Sequence, residues 1–109
     1  MIVTSVDVVE GWTGALDFQL KANDETPATP MGGSATVTLI LRDRKGNLVD
    51  VAGDCEVLDR AQWTVRYTPD SADLVAANGP CSGRWRVEDG AVVVFFPSGE
   101  ADVWNIHKP

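Results

Sequence analysis

Histidine and cysteine are scarce in this sequence, and their scarcity limits the chemistry that the chain can support. The 109 residues contain one histidine, His107, and two cysteines, Cys55 and Cys81. His107 lies close to the C-terminus, where chains fray, so it is a poor position for a catalytic base. One disulfide is possible, but in a reducing cytoplasm we expect two free thiols, which have neither metal-ligand spacing nor a reactive-thiol motif.

Short catalytic motifs are missing as well. The sequence has no Gly-x-Ser-x-Gly, no His-Glu-x-x-His and no Walker-type or dinucleotide-binding motif. Its acidic pairs, such as Asp50 with Asp54 and Asp70 with Asp73, do not match a calcium-binding loop and are typical of turn and capping residues. We therefore predict a protein that is not an enzyme, with no catalytic residue, no metal ligand and no cofactor.

Positively charged residues are also few. The chain has 9 Lys and Arg residues against 16 Asp and Glu residues, for a net charge of −7. Affinity for nucleic acids and for anionic membranes comes largely from Lys and Arg that meet phosphates. We therefore expect neither nucleic acid nor membrane among the partners. Solubility is the ordinary role of such charge, and an acidic docking face is the alternative.

Long hydrophobic runs do not occur. No window approaches the roughly 20 apolar residues of a membrane-spanning helix, and the N-terminal region lacks the basic stretch and apolar run of a signal peptide. We therefore expect synthesis and folding in a cytoplasm. A length of 109 residues fits one domain, 1–109, and the 44% hydrophobic content suffices for a core.

Period-two alternation of apolar and polar residues is what the chain has in abundance, whereas helical periodicity is almost absent. The alternation predicts strands over nine runs, which are 2–9, 15–21, 35–43, 48–51, 55–59, 62–68, 83–89, 92–96 and 101–107. Inward positions of these runs hold five large side chains that we assign to the core, namely Phe18, Leu39, Trp63, Tyr67 and Trp85. Seven to nine short strands at this spacing are typical of an antiparallel sandwich.

Two of the predicted strands differ from the simple alternation. The run "VVVFF" at 92–96 is continuously apolar, as is typical of a central strand, and 101–107 closes the chain, so we place it at a sheet edge. The only helix-like segment is 69–77, where we expect a short helical turn near 70–76. Asp70 would cap this turn and Leu74 would pack onto the core.

Four blocks of the sequence resemble, in order and separation, the immunoglobulin-like N-terminal domain of tailed-phage baseplate upper proteins. The blocks are "EGWTGALDFQLKAND" (10–24), "GGSATVTLILRDRKGNLVD" (32–50), "VRYTPDSADLVAANGPCSGRWRVE" (65–88) and "VVFFPSGEADVWNI" (93–106). They correspond to a Gly-led turn with an x-Leu-x-Phe-x-Leu strand, a strand-turn-strand, a Tyr-Thr-Pro strand end before Gly-x-Trp, and a closing strand pair with Phe-Pro.

The resemblance spans nearly the whole chain and implies an immunoglobulin-like sandwich. It further implies a non-enzymatic structural protein of a phage or prophage virion that docks onto other tail or baseplate proteins, with a homo-oligomer as one arrangement in which it would do so. The virion is then its expected location. Since no stalk or receptor-binding segment follows in this sequence, we expect a small accessory protein of the tail, baseplate or fibre.

Two of the four tryptophans are candidates for contact with a partner. Trp12 lies in the predicted turn at 10–14, and Trp104 lies on the last predicted strand. Aromatic side chains at such places stack on sugars or fill a pocket of another protein, and packing against the end of the sandwich is the other interpretation. A carbohydrate-binding or adhesion module of immunoglobulin-like fold is therefore the alternative function.

Overall fold

The fold is a sandwich of two β-sheets. The computed structural model describes residues 5–21, 29–97 and 101–109. The strands are β1 (Ser5–Val9), β2 (Leu16–Gln19), β3 (Thr36–Arg42), β4 (Leu48–Val49), β5 (Asp54–Asp59), β6 (Thr64–Thr68), β7 (Cys81–Asp89), β8 (Val92–Phe96) and β9 (Asp102–His107).

The two sheets have the strand order of the immunoglobulin fold. The larger sheet runs β1-β9-β7-β3-β4, with β8 also paired to β7, and the smaller sheet runs β2-β6-β5. Strands β2, β6 and β5 stand where B, E and D stand in an immunoglobulin domain, and β3, β7 and β9 where C, F and G stand. The pairs are antiparallel except β1 with β9, which is parallel. The predicted fold class is thus confirmed.

Strand β7 is the centre of the larger sheet. Strand β3 pairs along almost its whole length on one side, from Ser82 to Glu88. On the other side β9 pairs with its first residues, Cys81 to Gly83, and β8 pairs with the rest. Strands β8 and β9 therefore occupy the same side of β7, one after the other along its length.

The predicted positions of these last two strands are wrong. Among the described residues β8 pairs with β7 alone, so the apolar run is an edge strand and not a central one. Strand β9 lies between β1 and β7 and is not an edge. The N-terminal strand adds outside β9, and this parallel pairing between the two ends of the chain leaves no local pattern in the sequence.

The core is built from the inward positions of both sheets. Leu39, Tyr67, Leu74 and Trp85 are buried as predicted. Phe18 and Trp63 are partly exposed but pack against the same core, through aromatic contacts with Trp85 at 5.7 Å and with Phe96 at 5.4 Å between ring centroids.

The helical turn lies later in the chain than predicted. It is a single 3₁₀ turn at Ala76–Asn78, later than the expected 70–76. The preceding residues form a tight turn in which the Asp73 N–H donates to the Asp70 carbonyl, while the Asp70 carboxylate accepts from the Ala72 N–H. The 3₁₀ turn itself has Val75 at its N-cap and no side-chain cap, so Asp70 does not cap the helical turn as predicted and instead stabilises the turn before it.

Candidate interaction surface

Trp104 is not available to a partner. It is 1% exposed, and its ring packs against Phe18 at 5.6 Å and Tyr67 at 6.2 Å between centroids. The predicted contact role is therefore wrong for this residue, because its side chain points inward between the two sheets and β9 is not an edge strand. A Cβ atom at Gly83 would overlap the Trp104 indole, so the ring also depends on glycine at that position.

Trp12, in contrast, is 48% exposed. Its turn is held by backbone hydrogen bonds from the Trp12 N–H to the Val9 carbonyl and from the Gly11 N–H to the Leu74 carbonyl. The indole lies against Gly14, since a Cβ there would come within 2.6 Å of the ring. Trp12 is therefore a half-exposed aromatic ring on an anchored turn, as its candidate role requires.

Asp73, which the sequence predicts to be an ordinary turn residue, is a buried carboxylate at one end of the smaller sheet. Asp73 is only 2% exposed. Its oxygens accept hydrogen bonds from the Tyr67 hydroxyl at 2.6 Å, the Ala52 N–H at 2.7 Å, the Gly53 N–H at 2.8 Å and the Asp70 N–H at 3.0 Å. We call these five residues the Asp73 corner, since they join the start of β5 to the end of β6.

The electrostatics of the Asp73 corner favour a charged carboxylate. Burial by itself raises the pKa of Asp73, but the Tyr67 hydroxyl and the three N–H donors outweigh it and hold this pKa below its usual value. Burial, together with the hydrogen bond to Asp73, raises the pKa of Tyr67 far above its usual range. Tyr67 therefore stays a neutral donor and Asp73 an ionised acceptor, which describes a structural role rather than a reactive one.

The thiols and the histidine lie apart from one another. Cys55 is half-buried, Cys81 is buried, both are free, and burial raises the pKa of each thiol. His107 is exposed and lies 3.1 Å from the Asp7 carboxylate across the β1–β9 pair. Within 5–21, 29–97 and 101–109, no group of three or more His, Cys, Asp or Glu side chains is arranged to hold a metal ion.

Strand β8 exposes apolar side chains that the prediction had placed in the core. Val92 is 60% exposed, Val93 and Val94 are 41% exposed, and Phe95 is 43% exposed. Only Phe96, at the end of the strand, is buried. Scattered apolar side chains on a surface are ordinary, but four in succession on an edge strand are typical of an interaction surface.

Pairing register shows which side chains share the outer face of the larger sheet with β8. Phe95 lies opposite Arg86, and Val93 lies opposite Glu88. On the other side of β7, Ile40 lies opposite Arg84. We define the arginine-apolar face as the arginine and apolar side chains that point outward from β3, β7 and β8, namely Ile40, Arg42, Arg84, Arg86, Val93 and Phe95.

The guanidinium groups of this face are held in place. Arg84 donates to the Pro97 carbonyl at 3.0 Å, and Arg86 donates to the Glu88 carboxylate at 2.9 Å. Arg42 donates to the Gly46 carbonyl at 3.2 Å. A guanidinium carries five N–H donors, so each of these contacts leaves donors for a further acceptor.

The outer face of the smaller sheet has a different character. Arg66 lies between two carboxylates, at 2.7 Å from Asp17 and 3.9 Å from Glu56. The hydrogen bond and charge of Arg66 hold the pKa of Asp17 below its usual value. Leu58 is an isolated exposed apolar side chain there, with 41% exposure. The charge of Arg66 is thus satisfied within the sheet, and among the described residues of this face Leu58 stands apart from other large exposed apolar side chains.

Comparison of the chain with protein-family models and with curated proteins finds no match. The phage-protein resemblance stays a prediction from the residues that carry it. In the part of the chain that the structure describes, no helix has the length and apolar character needed to span a membrane.

Proposed function

We propose that this protein is a non-enzymatic structural protein of a tailed phage or prophage virion that acts by docking onto another tail, baseplate or fibre protein. The proposal is supported by the four sequence blocks that resemble a baseplate domain, and the two-sheet sandwich is compatible with the fold that the resemblance implies.

The single observation that carries the docking mechanism is strand β8. Its residues from 92 to 95 are apolar, successive and between 41% and 60% exposed. Soluble domains usually protect edge strands with charged side chains, proline or a covering loop, because an apolar edge invites association. An apolar edge without a charged residue of its own is consistent with a surface that another protein covers in an assembly.

Mass spectrometry of purified particles tests the proposed location. Particles from the phage or induced prophage that encodes the chain should contain it in a fixed ratio to the tail proteins, and the ratio should survive gradient purification. Loss of the protein from particles on purification, or its complete absence, would count against a virion role. A matched sample of uninduced cell lysate, taken through the same gradient, controls for carry-over.

Trp12 supports a second candidate, a carbohydrate-binding or adhesion module. A half-exposed indole on an anchored turn provides a stacking surface for a sugar ring. Because Trp104 is buried, this candidate function depends on Trp12 and not on Trp104. A glycan array probed with the wild-type protein and with Trp12→Ala tests it, because binding that is absent, or unchanged by the substitution, would exclude the role of Trp12.

A further inference from the structure

We infer that the arginine-apolar face binds a segment of a partner protein that is apolar at its centre and carries carboxylates beside that centre. The inference rests on the proposed docking function and specifies its partner. It follows from three properties of the face, which are its exposed aromatic and aliphatic side chains, the sign of its charge and the orientation of its guanidinium groups.

The apolar part provides contact area. Phe95 and Val93 point outward from β8 and are each about two-fifths exposed. Ile40, two strands away on β3, is partly exposed on the same face. Aromatic residues and arginine are enriched in protein interfaces, and residues that contribute most of the binding energy lie where they can be desolvated. A partner that covers Phe95 therefore needs apolar atoms at that point.

The charged part selects the partner's chemistry. Along β3, β7 and β8 this outer face carries Arg42, Arg84 and Arg86 but one carboxylate, Glu88. The whole chain has a net charge of −7, so the face is locally positive on an acidic protein. A carboxylate on the partner gains a charge-assisted hydrogen bond from an arginine that a neutral or basic side chain does not gain.

The orientation of the guanidinium groups lowers the cost of binding. Arg84 and Arg86 are already fixed by the Pro97 carbonyl and the Glu88 carboxylate. A side chain that is ordered before binding loses less conformational entropy when it meets its partner. Arg86 also lies directly opposite Phe95 in the register, so one partner segment can contact both.

The same charges disfavour a symmetric pair of copies. In an isologous dimer through this face, each copy would present the same surface to the other. Both surfaces would then carry the same excess of three arginines over one carboxylate, and like net charges across an interface are repulsive. A nucleic acid or an anionic membrane would extend beyond this face onto the rest of a chain with a net charge of −7, so these occupants are disfavoured relative to a short acidic segment. An acidic protein segment is the occupant that the face fits best.

Selection from a displayed library of random dodecapeptides tests the inference. Immobilised wild-type protein is the target, and the Phe95→Asp variant removes peptides that bind elsewhere. We expect the recovered peptides to combine aromatic or aliphatic residues with Asp or Glu. In fluorescence anisotropy, a synthetic copy of the most enriched peptide should bind Phe95→Asp at least roughly tenfold more weakly than wild type. It should bind Arg86→Gln about threefold more weakly, and added salt should weaken wild-type binding.

Leu58→Asp is the matched control, because Leu58 has similar exposure but lies on the smaller sheet. It should keep wild-type affinity for the same peptide. Urea unfolding of each variant shows whether it is folded, and Phe95→Ser replaces Phe95→Asp should the charged variant fail to fold. Particle composition is measured separately, so a failed selection and a failed virion role are distinguishable.

Several outcomes would overturn the inference. They are a selection without enrichment, enriched peptides that are basic or purely apolar, and peptides that bind the Phe95 variants as tightly as wild type. Sedimentation velocity tests a further outcome that would overturn the inference. If wild-type protein self-associates and Phe95→Asp does not, the occupant of the face is a second copy and not an acidic segment of another protein.

Discussion

The Asp73 corner and strand β8 both reverse the usual placement of polar and apolar groups, and they do so in opposite ways. Asp73 is a carboxylate buried among core residues, whereas β8 holds apolar side chains in solvent. The Asp73 corner is internally complete, since four donors meet one carboxylate. Strand β8 has no such compensation within the described residues. The difference teaches that the buried carboxylate stabilises the fold from within, whereas the exposed apolar side chains of β8 are the feature on which the proposed docking rests.

Truncation of the core beside the Asp73 corner should have the largest effect. Leu74 and Trp85 are fully or almost fully buried. Trp85→Ala should lower the free energy of unfolding by about 4 kcal/mol, and Leu74→Ala by about 3 kcal/mol, because each leaves a cavity in a packed core. Urea unfolding followed by tryptophan fluorescence or circular dichroism measures both. Losses under about 1 kcal/mol would show that this region is not part of the core.

Asp73→Asn should be the next most damaging change. An amide has the shape of the carboxylate, but it loses the charge that strengthens four hydrogen bonds and it turns a donor group toward N–H donors. We expect a loss of about 3 kcal/mol in the free energy of unfolding. Tyr67→Phe, which removes one of the four donors and keeps the ring, should cost about 1 kcal/mol. Equal effects of the two variants would contradict a network centred on Asp73.

Acid should weaken the Asp73 corner. Because the pKa of Asp73 is lower in the folded protein than in the unfolded chain, its contribution is fully present above the unfolded pKa of about 3.9 and is lost as the pH falls through the folded value. Unfolding free energy measured between pH 7 and pH 3 should therefore decline more steeply below about pH 4 in wild type than in Asp73→Asn. Parallel curves for the two proteins would exclude this carboxylate as a source of acid sensitivity.

Phe95→Ala should have the smallest effect on stability. The side chain is 43% exposed, so its truncation should cost less than about 1 kcal/mol. The adjacent Phe96 is buried against Trp63, and Phe96→Ala should cost about 3 kcal/mol. Thermal or urea unfolding of this pair compares the two sides of one strand. A loss at Phe95 as large as that at Phe96 would mean that Phe95 belongs to the fold rather than to a binding surface.

Period-two alternation was sufficient to predict the sandwich and most of its core. It placed Leu39, Tyr67 and Trp85 correctly, because each lies in a strand with one buried face and one solvent-facing side, and that arrangement leaves a direct trace in the sequence. Gly46 and Gly90 both have positive φ in the β3–β4 and β7–β8 hairpins, a backbone conformation that glycine adopts without steric cost.

The candidate site was much less predictable. A continuous apolar run is compatible with a central strand whose two faces are both covered by protein, and equally with an edge strand whose apolar side chains lie in solvent. Periodicity does not distinguish the two cases, and the prediction for 92–96 is a central strand. Trp104 lies in the last strand of the sequence, which suggests an edge, but β1 from the other end of the chain pairs outside this strand, and the ring packs against Phe18 and Tyr67 of the other sheet. Asp73 receives its donors from residues as distant as Ala52, which no local pattern reveals.

The amount of variant protein in purified particles tests the central claim most directly, namely that the exposed side chains of β8 serve docking. Quantitative mass spectrometry would compare particles assembled with wild-type protein, Phe95→Asp and Leu58→Asp. We predict that Phe95→Asp is strongly depleted from particles although it remains folded, while Leu58→Asp is present at the wild-type level. Incorporation of folded Phe95→Asp at the wild-type level would contradict the account.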